Sequence, residues 1–344
     1  MKNINIDIVH EELFKQKPLL AFSKDVDYPL WKKQIEEKLI SLLGIEEIKK
    51  NACELNFEID EILDKETYKR ILFYFESEKN SIVPCYLLIP KDGKEKHPVA
   101  ICLQGHTTGF HNSISEPKFE GDAENYTSQD FAIEAVKRGY IALAIEQRGM
   151  GVRTTPRIDR GHANRVACYH TVMTALLLGR TLIGERVWDV SRAIDVLEQH
   201  FSDICDFSDI TLLGNSGGGT ATYYTTALEK RITTAMPCCA VCTYRDSIAE
   251  VHHCSCNYIP KIAKYMDMGE IAALIAPRRL IICNGELDRI FPIKGTKEVF
   301  EVIKAIYEKE GYPERAKLHI FPDVGHRFLK EQAFSELENM RKTK

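Results

Sequence analysis

From Pro98 onward, short apolar runs alternate with longer segments whose apolar residues recur every three or four positions. The runs are Val99–Leu103, Ile141–Ile145, Ile210–Leu213, Ile232–Met236, Leu280–Cys283 and Leu318–Phe321. The periodic segments are Ser128–Arg138 (closed by Gly139), Val187–Gln199, Gly217–Leu228 and Lys294–Glu308. A strand that is apolar at every position is covered on both faces, and such strands separated by helices specify a parallel sheet between two helical layers. The pattern predicts an α/β class, with a mostly parallel central sheet and helices on both faces.

The first hundred residues follow another rhythm. Trp31, Ile35, Leu39 and Leu42 share one face of a helix over 29–43, with Pro29 in its first turn and Gly44 at its end. Leu55, Phe57 and Ile59 then alternate with polar residues, and Ile71–Phe75 and Val83–Ile89 are apolar runs between charged turns. These read as antiparallel strands at the N-terminal edge of the sheet. The expected organisation is a helical extension over 1–50 packed on a main domain over 51–344. Segments of about 150–186 and 238–276 interrupt the strand–helix alternation and read as lids or pocket walls.

Composition narrows the function classes. With 46 basic and 50 acidic residues the chain carries −4, which excludes a dominant electrostatic footprint for nucleic acid. Acidic residues at 7, 11, 12, 25 and 27 leave no signal-peptide core, and the charge-free stretch Ile210–Leu228 is too rich in Gly and Thr to span a membrane. The cysteine count, 11, is odd and several lie inside strand patterns, so they are expected as free thiols in a reducing cytoplasm.

The most informative stretch is Gly214-Asn215-Ser216-Gly217-Gly218, placed after a strand pattern and before a helix pattern. A G-x-S-x-G sequence in that context is a nucleophile elbow: glycines two positions either side let strand and helix approach, and the N–H after the serine aims at a developing oxyanion. A phosphate-binding turn is the bland alternative, but no lysine stands near the helix start. Such a serine needs a base and an acid, in the order Ser, acid, His. His326, just past the strand Lys317–Phe321, is the expected base, whereas His319 lies within that strand and reads as a packing residue. Asp288, beyond Leu280–Cys283 and before Pro292, is the expected acid, with Glu286, Asp246 and Asp323 as alternatives. The oxyanion donors are expected to be the N–H groups of Gly217 and of His106, in the loop Gln104-Gly105-His106 after the first parallel strand. Gly105, Asn215 and His253 are candidate substrate-binding residues.

On these residues the chain resembles the α/β-hydrolase superfamily, and within it the acetyl xylan esterase and cephalosporin-C deacetylase group, related to prolyl oligopeptidase catalytic domains. The resemblance spans roughly 80–330. It rests on Gln104-Gly105-His106, Glu146-Gln147-Arg148-Gly149-Met150-Gly151, Gly214–Gly218, Gly285 with Asp288, and Gly325-His326. Gln104 stands where many members have His, and Asn215 replaces a bulkier or charged residue. The resemblance implies an α/β-hydrolase fold, a structural salt bridge at Arg148, and hydrolysis of short acyl esters, especially acetylated sugars, with no cofactor and no metal. The expected partner is a small-molecule ester, with no nucleic acid and no membrane; a homo-oligomer is compatible with the chain. A serine peptidase without a propeller and a catalytically silent hydrolase-like protein are the rival readings.

Two further clusters need a reading. Cys238, Cys239, Cys242, His252, His253, Cys254 and Cys256 include a C-x-x-C at 239 and 242 and have the ingredients of a zinc site. A chain with so large a core needs no metal staple, and packing of small thiols under a lid is preferred. Arg148, Arg153, Arg157, Arg160 and Arg165, with His162, form a basic stretch that reads as a solvated lid face or as steering for an anionic substrate.

Overall fold

In the computed structural model, residues 4–120, 122, 129–154 and 168–342 are described. Among the described residues nine strands form one sheet: β1 (Glu58–Asp64), β2 (Tyr68–Glu78), β3 (Ser81–Pro90), β4 (His97–Leu103), β5 (Ile141–Ile145), β6 (Cys205–Asn215), β7 (Thr234–Cys238), β8 (Arg279–Gly285) and β9 (Ala316–Phe321), in the order 1-2-3-5-4-6-7-8-9. The β1–β2, β2–β3 and β3–β5 pairs are antiparallel and the remaining pairs parallel.

Among the described residues the helices are α1 (Asp7–Phe14), α2 (Tyr28–Leu43), α3 (Ile45–Lys49), α4 (Phe131–Lys137), α5 (Tyr169–Leu177), α6 (Leu182–His200), α7 (Gly217–Leu228), the short α8 (Ile262–Tyr265) and α9 (Met268–Ile271), α10 (Ile293–Glu310) and α11 (Lys330–Lys342). The alternation of side chains along the strands divides the core. Val99, Ile101 and Leu103 of β4 face α6, packing with Val190, Ala193 and Ile194. Ala100 and Cys102 face the opposite layer, where Phe131 of α4 and Phe334 and Leu337 of α11 pack. Both faces of the sheet are therefore covered, which is why the strands read as continuous apolar runs. Trp31, Ile35, Leu39 and Leu43 of α2 join a third cluster with Ile275, Ile303 and Tyr307.

Where boundaries differ from the sequence pattern, local chemistry explains it. The first strand begins at Glu58, so Leu55 and Phe57 precede it; Asn56, at φ 43°, breaks the extended chain between them. Helix α6 starts at Leu182 because the Thr181 hydroxyl accepts the Gly184 N–H at 3.0 Å. Gly184 is required there: a Cβ would lie 2.2 Å from the Leu43 carbonyl oxygen. Helix α4 covers residues 131–137 of the expected 128–138, residue 128 lying outside the described ones.

Arg148 is buried among carboxylates, bonding Asp189 at 2.8 and 2.9 Å and Glu78 at 2.6 Å, while Arg153 reaches Asp189 at 2.7 Å. These two arginines are structural, each tied to carboxylates and only slightly exposed; Arg157, Arg160, His162 and Arg165 lie outside the described residues. Among the described residues no helix is long and apolar enough to cross a membrane.

Candidate active site

The carboxyl ends of the parallel strands bring the expected residues together. Ser216 follows β6 with φ 53° and ψ −121°, a conformation disfavoured for any residue with a side chain, and α7 starts at the next residue. Its N–H donates to the Cys238 carbonyl at 2.9 Å, tying the turn to the end of β7. The flanking glycines are sterically required. A Cβ on Gly214 would fall 2.6 Å from the Leu103 and Gly218 carbonyl oxygens, and one on Gly218 would fall 2.1 Å from Leu103 O. The elbow is packed against the end of β4, so the Gln104–His106 loop lies alongside the serine.

Asp288 and His326 arrive on two loops that are zipped together. The Glu286 and Leu287 N–H groups donate to Phe321 and Val324 carbonyls at 2.9 and 2.8 Å. Gly285 allows that approach, since a Cβ there would sit 2.0 Å from Gly325 O. His326 Nδ1 is 2.8 Å from Asp288 Oδ2, and the Asp288 Oδ1 accepts the N–H groups of Ile290 and Phe291 at 2.7 and 3.0 Å. Burial pushes the Asp288 carboxyl up, but His326 and the two backbone donors outweigh it and hold the group below the usual carboxylate range. Phe291 stacks on the His326 ring at a centroid distance of 6.0 Å.

Two of the alternative acids have other partners. Asp246 is held by the Arg245 guanidinium at 2.7 and 2.9 Å, and Glu286 accepts the Asp323 N–H at 3.2 Å. His319 faces Glu336 at 3.6 Å, as an edge residue of β9.

Ser216 and His326 line one cavity of about 360 Å³ together with Gly105, His106, Asn215 and His253. All the substrate-binding candidates thus border the same space. The Gly105 N–H is already engaged by the Gln129 side chain at 3.3 Å, whereas the His106 N–H has no acceptor among the described residues. A Gly105 Cβ would approach Ser216 Cβ to 3.3 Å, so the glycine sets the distance between loop and serine. His253 Nε2 sits 3.0 Å from the Ser247 hydroxyl and 3.2 Å from Ile290 O, and burial lowers its pKa. His111 is turned away, bound to Asp122 at 2.8 Å.

Sequence reasoning missed Gln129, which lines the cavity and holds the Gly105 N–H. Its only signal would have been a polar residue at the start of the helix pattern Ser128–Arg138. It also missed the surroundings of Glu146, which is buried behind the Gln104–His106 loop and bonded by Gln104 at 2.9 Å; burial raises its pKa to about 8.

The abhydrolase family profile matches residues 4–185 and 223–340. The chain belongs to the abhydrolase family. The intervening residues 186–222, outside that match, contain the elbow. A curated relative, Putative hydrolase YtaP of Bacillus subtilis (strain 168), is 28% identical over 231 residues, covering 66% of this chain and 73% of that protein. Among solved structures, a protein of Bacteroides fragilis NCTC 9343 described as a putative acetyl xylan esterase superposes with TM-score 0.77 at 17% identity, covering 98% of this chain and 96% of its own. A glucuronoyl esterase of Solibacter usitatus gives 0.67 at 16% identity, covering 95% and 97%. These likenesses show the α/β-hydrolase fold.

Proposed function

We propose that this abhydrolase is a serine carboxylesterase that removes short acyl groups, acetyl above all, from carbohydrates. The observation that carries the reading is the strained Ser216 elbow opening on the same cavity as a His326 imidazole already oriented by Asp288. In this mechanism the Ser216 hydroxyl attacks the ester carbonyl while His326 Nε2 takes its proton. Asp288 fixes the tautomer with hydrogen on Nδ1 and stabilises the imidazolium. The tetrahedral oxyanion is met by the N–H groups of Gly217 and His106, each contributing about 3 kcal/mol to the barrier reduction in comparable sites. His326 then returns the proton to the leaving alcohol oxygen, and water, activated by the same imidazole, releases the acid.

The cavity supports this substrate class. A volume of about 360 Å³ is near the lower end for ligand sites, and its walls carry His252, His253, Asn257 and Gln129, with Ile290 as an isolated aliphatic side chain. Such walls can hydrogen-bond a hydroxylated alcohol and offer little to a fatty chain. Proteins of the same fold bear the names acetyl xylan esterase and glucuronoyl esterase, which supports a carbohydrate ester.

The test is a substrate panel. p-Nitrophenyl acetate should show a higher kcat/KM than the octanoate, and an acetylated xylo-oligosaccharide should be deacetylated. A fluorophosphonate should label the protein and fail on Ser216→Ala. A kcat/KM rising from acetate to octanoate would overturn the sugar reading, cleavage of aminoacyl anilides would turn it into a peptidase, and absence of labelling would leave a silent hydrolase-like protein.

A further inference from the structure

Beside the cavity, the Sγ atoms of Cys168, Cys254 and Cys256 and an imidazole nitrogen of His106 all lie within 4.8 Å of one another. They come from three distant parts of the chain: the loop after β4, the residue preceding α5, and a Cys-x-Cys in the second long insertion. In a tetrahedral zinc site, with Zn–S near 2.3 Å and Zn–N near 2.0–2.1 Å, the donor–donor edges are about 3.6–3.8 Å. Cys256 Sγ is already 3.3 Å from His106 Nε2. The C-x-x-C of the sequence is elsewhere: Cys242 packs against Pro292 O at 3.5 Å and Cys239 against Arg327 O at 3.5 Å.

The charge environment is an independent observation. Arg186 is 1% exposed, and among the described residues its guanidinium donates to Cys256 Sγ and Cys168 Sγ, each at 3.5 Å, and to the Arg148 carbonyl at 2.8 and 3.0 Å. Among the described residues it meets no carboxylate, in contrast to Arg148 nearby. A buried guanidinium without an anion is strongly unfavourable, and neutral thiols do not supply one. A divalent cation held by three thiolates and a neutral imidazole carries net −1, which Arg186 balances.

We propose that Cys168, Cys254, Cys256 and His106 bind one zinc ion in a closed, structural Cys₃His site. On binding, the three thiol protons pass to solvent, including the one Cys168 shares with Gly149 O at 3.2 Å, and four metal–ligand bonds form. With four protein ligands there is no open position for substrate, so the ion positions residues and does not touch the reacting atoms. It pins the ring of His106, whose Cε1 and Nδ1 would lie 2.5 and 2.7 Å from a Cβ on Gly217, and so holds the oxyanion loop against the elbow. An internal disulfide would use two of the three sulfurs and leave Arg186 without a counter-charge.

Metal content tests the site without reference to esterase activity. The full chain, expressed with added zinc, should retain about one zinc per chain through dialysis. Cobalt substitution should give the intense visible bands of a tetrahedral site and near-ultraviolet thiolate charge transfer. Cys168→Ser and Cys256→Ser should lose both, while Cys53→Ser keeps them; if the first two do not fold, the cobalt spectrum of the unaltered protein decides. Substoichiometric zinc, a weak octahedral cobalt spectrum, or a mass two hydrogens low from a disulfide would each overturn the proposal. Chelation should also lower kcat on p-nitrophenyl acetate at least tenfold; unchanged turnover in the metal-free protein would overturn the positioning of His106.

Discussion

His326 Nδ1 and Asp288 Oδ2 are 2.8 Å apart, and the other Asp288 oxygen is held by two backbone N–H groups, so the carboxylate cannot rotate without losing three hydrogen bonds. Asp288→Asn keeps the Oδ1 acceptor but presents an amide N–H₂ to Nδ1. The imidazole must then carry its proton on Nε2, where it cannot accept one from Ser216. The expected loss in kcat is on the order of 10⁴, with the fold retained. Pre-steady-state acylation of p-nitrophenyl acetate reads it directly; near-normal acylation would place the acid elsewhere.

The elbow should trade stability for chemistry. Ser216 occupies φ 53°, ψ −121°, and strain of this kind is worth about 1–3 kcal/mol. Ser216→Gly and Ser216→Ala both remove the hydroxyl, but only glycine adopts these angles freely. Both variants should be inactive, and the glycine variant should unfold at the higher denaturant concentration, by about 1 kcal/mol after its greater unfolded-state entropy is offset. Equal midpoints would mean that the turn is unstrained.

Stability should fall between about pH 4.5 and 8 through Glu146. Burial raises its pKa from 4.5 to about 8, despite N–H donors from Phe110 and Val152 and the Gln104 amide. The unfolded chain therefore releases this proton at lower pH than the folded one. Its stabilising contribution is full below the unfolded value, and it is lost as pH rises through the folded value. Unfolding midpoints measured from pH 5 to 8 should decline, and Glu146→Gln should flatten that slope whatever its absolute stability. An unchanged slope would assign the decline to another group.

The pattern of apolar positions carried most of the fold because the sheet is covered on both faces: β5 and α7 have the limits the sequence predicts, Ile141–Ile145 and Gly217–Leu228. Helix α11 escaped notice although Ala333, Phe334, Leu337 and Met340 share a face, because charged residues dilute the signal over its length. Ser216, Asp288 and His326 were legible since each sits in a short local motif beyond a strand. Gln129 and the Cys168–Arg186 contact were not, because no local motif marks either of them. Cys254 and Cys256 were visible as a pair, but neither Cys168 nor the buried Arg186 could be connected to them by spacing.

Gly217→Ala separates the oxyanion geometry from the rest of the elbow. The added Cβ would stand 2.5 Å from His106 Cε1, 2.7 Å from Nδ1 and 3.1 Å from the Met150 methyl group. In the first turn of α7 alanine is intrinsically better than glycine by about 1 kcal/mol, so global stability should change little. The cost falls on His106: its ring must move, and with it the backbone N–H proposed as an oxyanion donor. Misplacing one donor in such a site lowers kcat by about 10²–10³, while KM for a small ester should hardly respond. If the ring were free to swing into solvent, the loss would be slight; if Nε2 is anchored on the cysteine cluster, it should be large. Comparing kcat of Gly217→Ala with that of Ser216→Ala, and checking that fluorophosphonate still reacts with Gly217→Ala at a reduced rate, distinguishes a displaced oxyanion donor from a lost nucleophile. Wild-type kcat in Gly217→Ala would mean that the His106 ring yields without moving its backbone N–H, and would remove the anchoring of that ring.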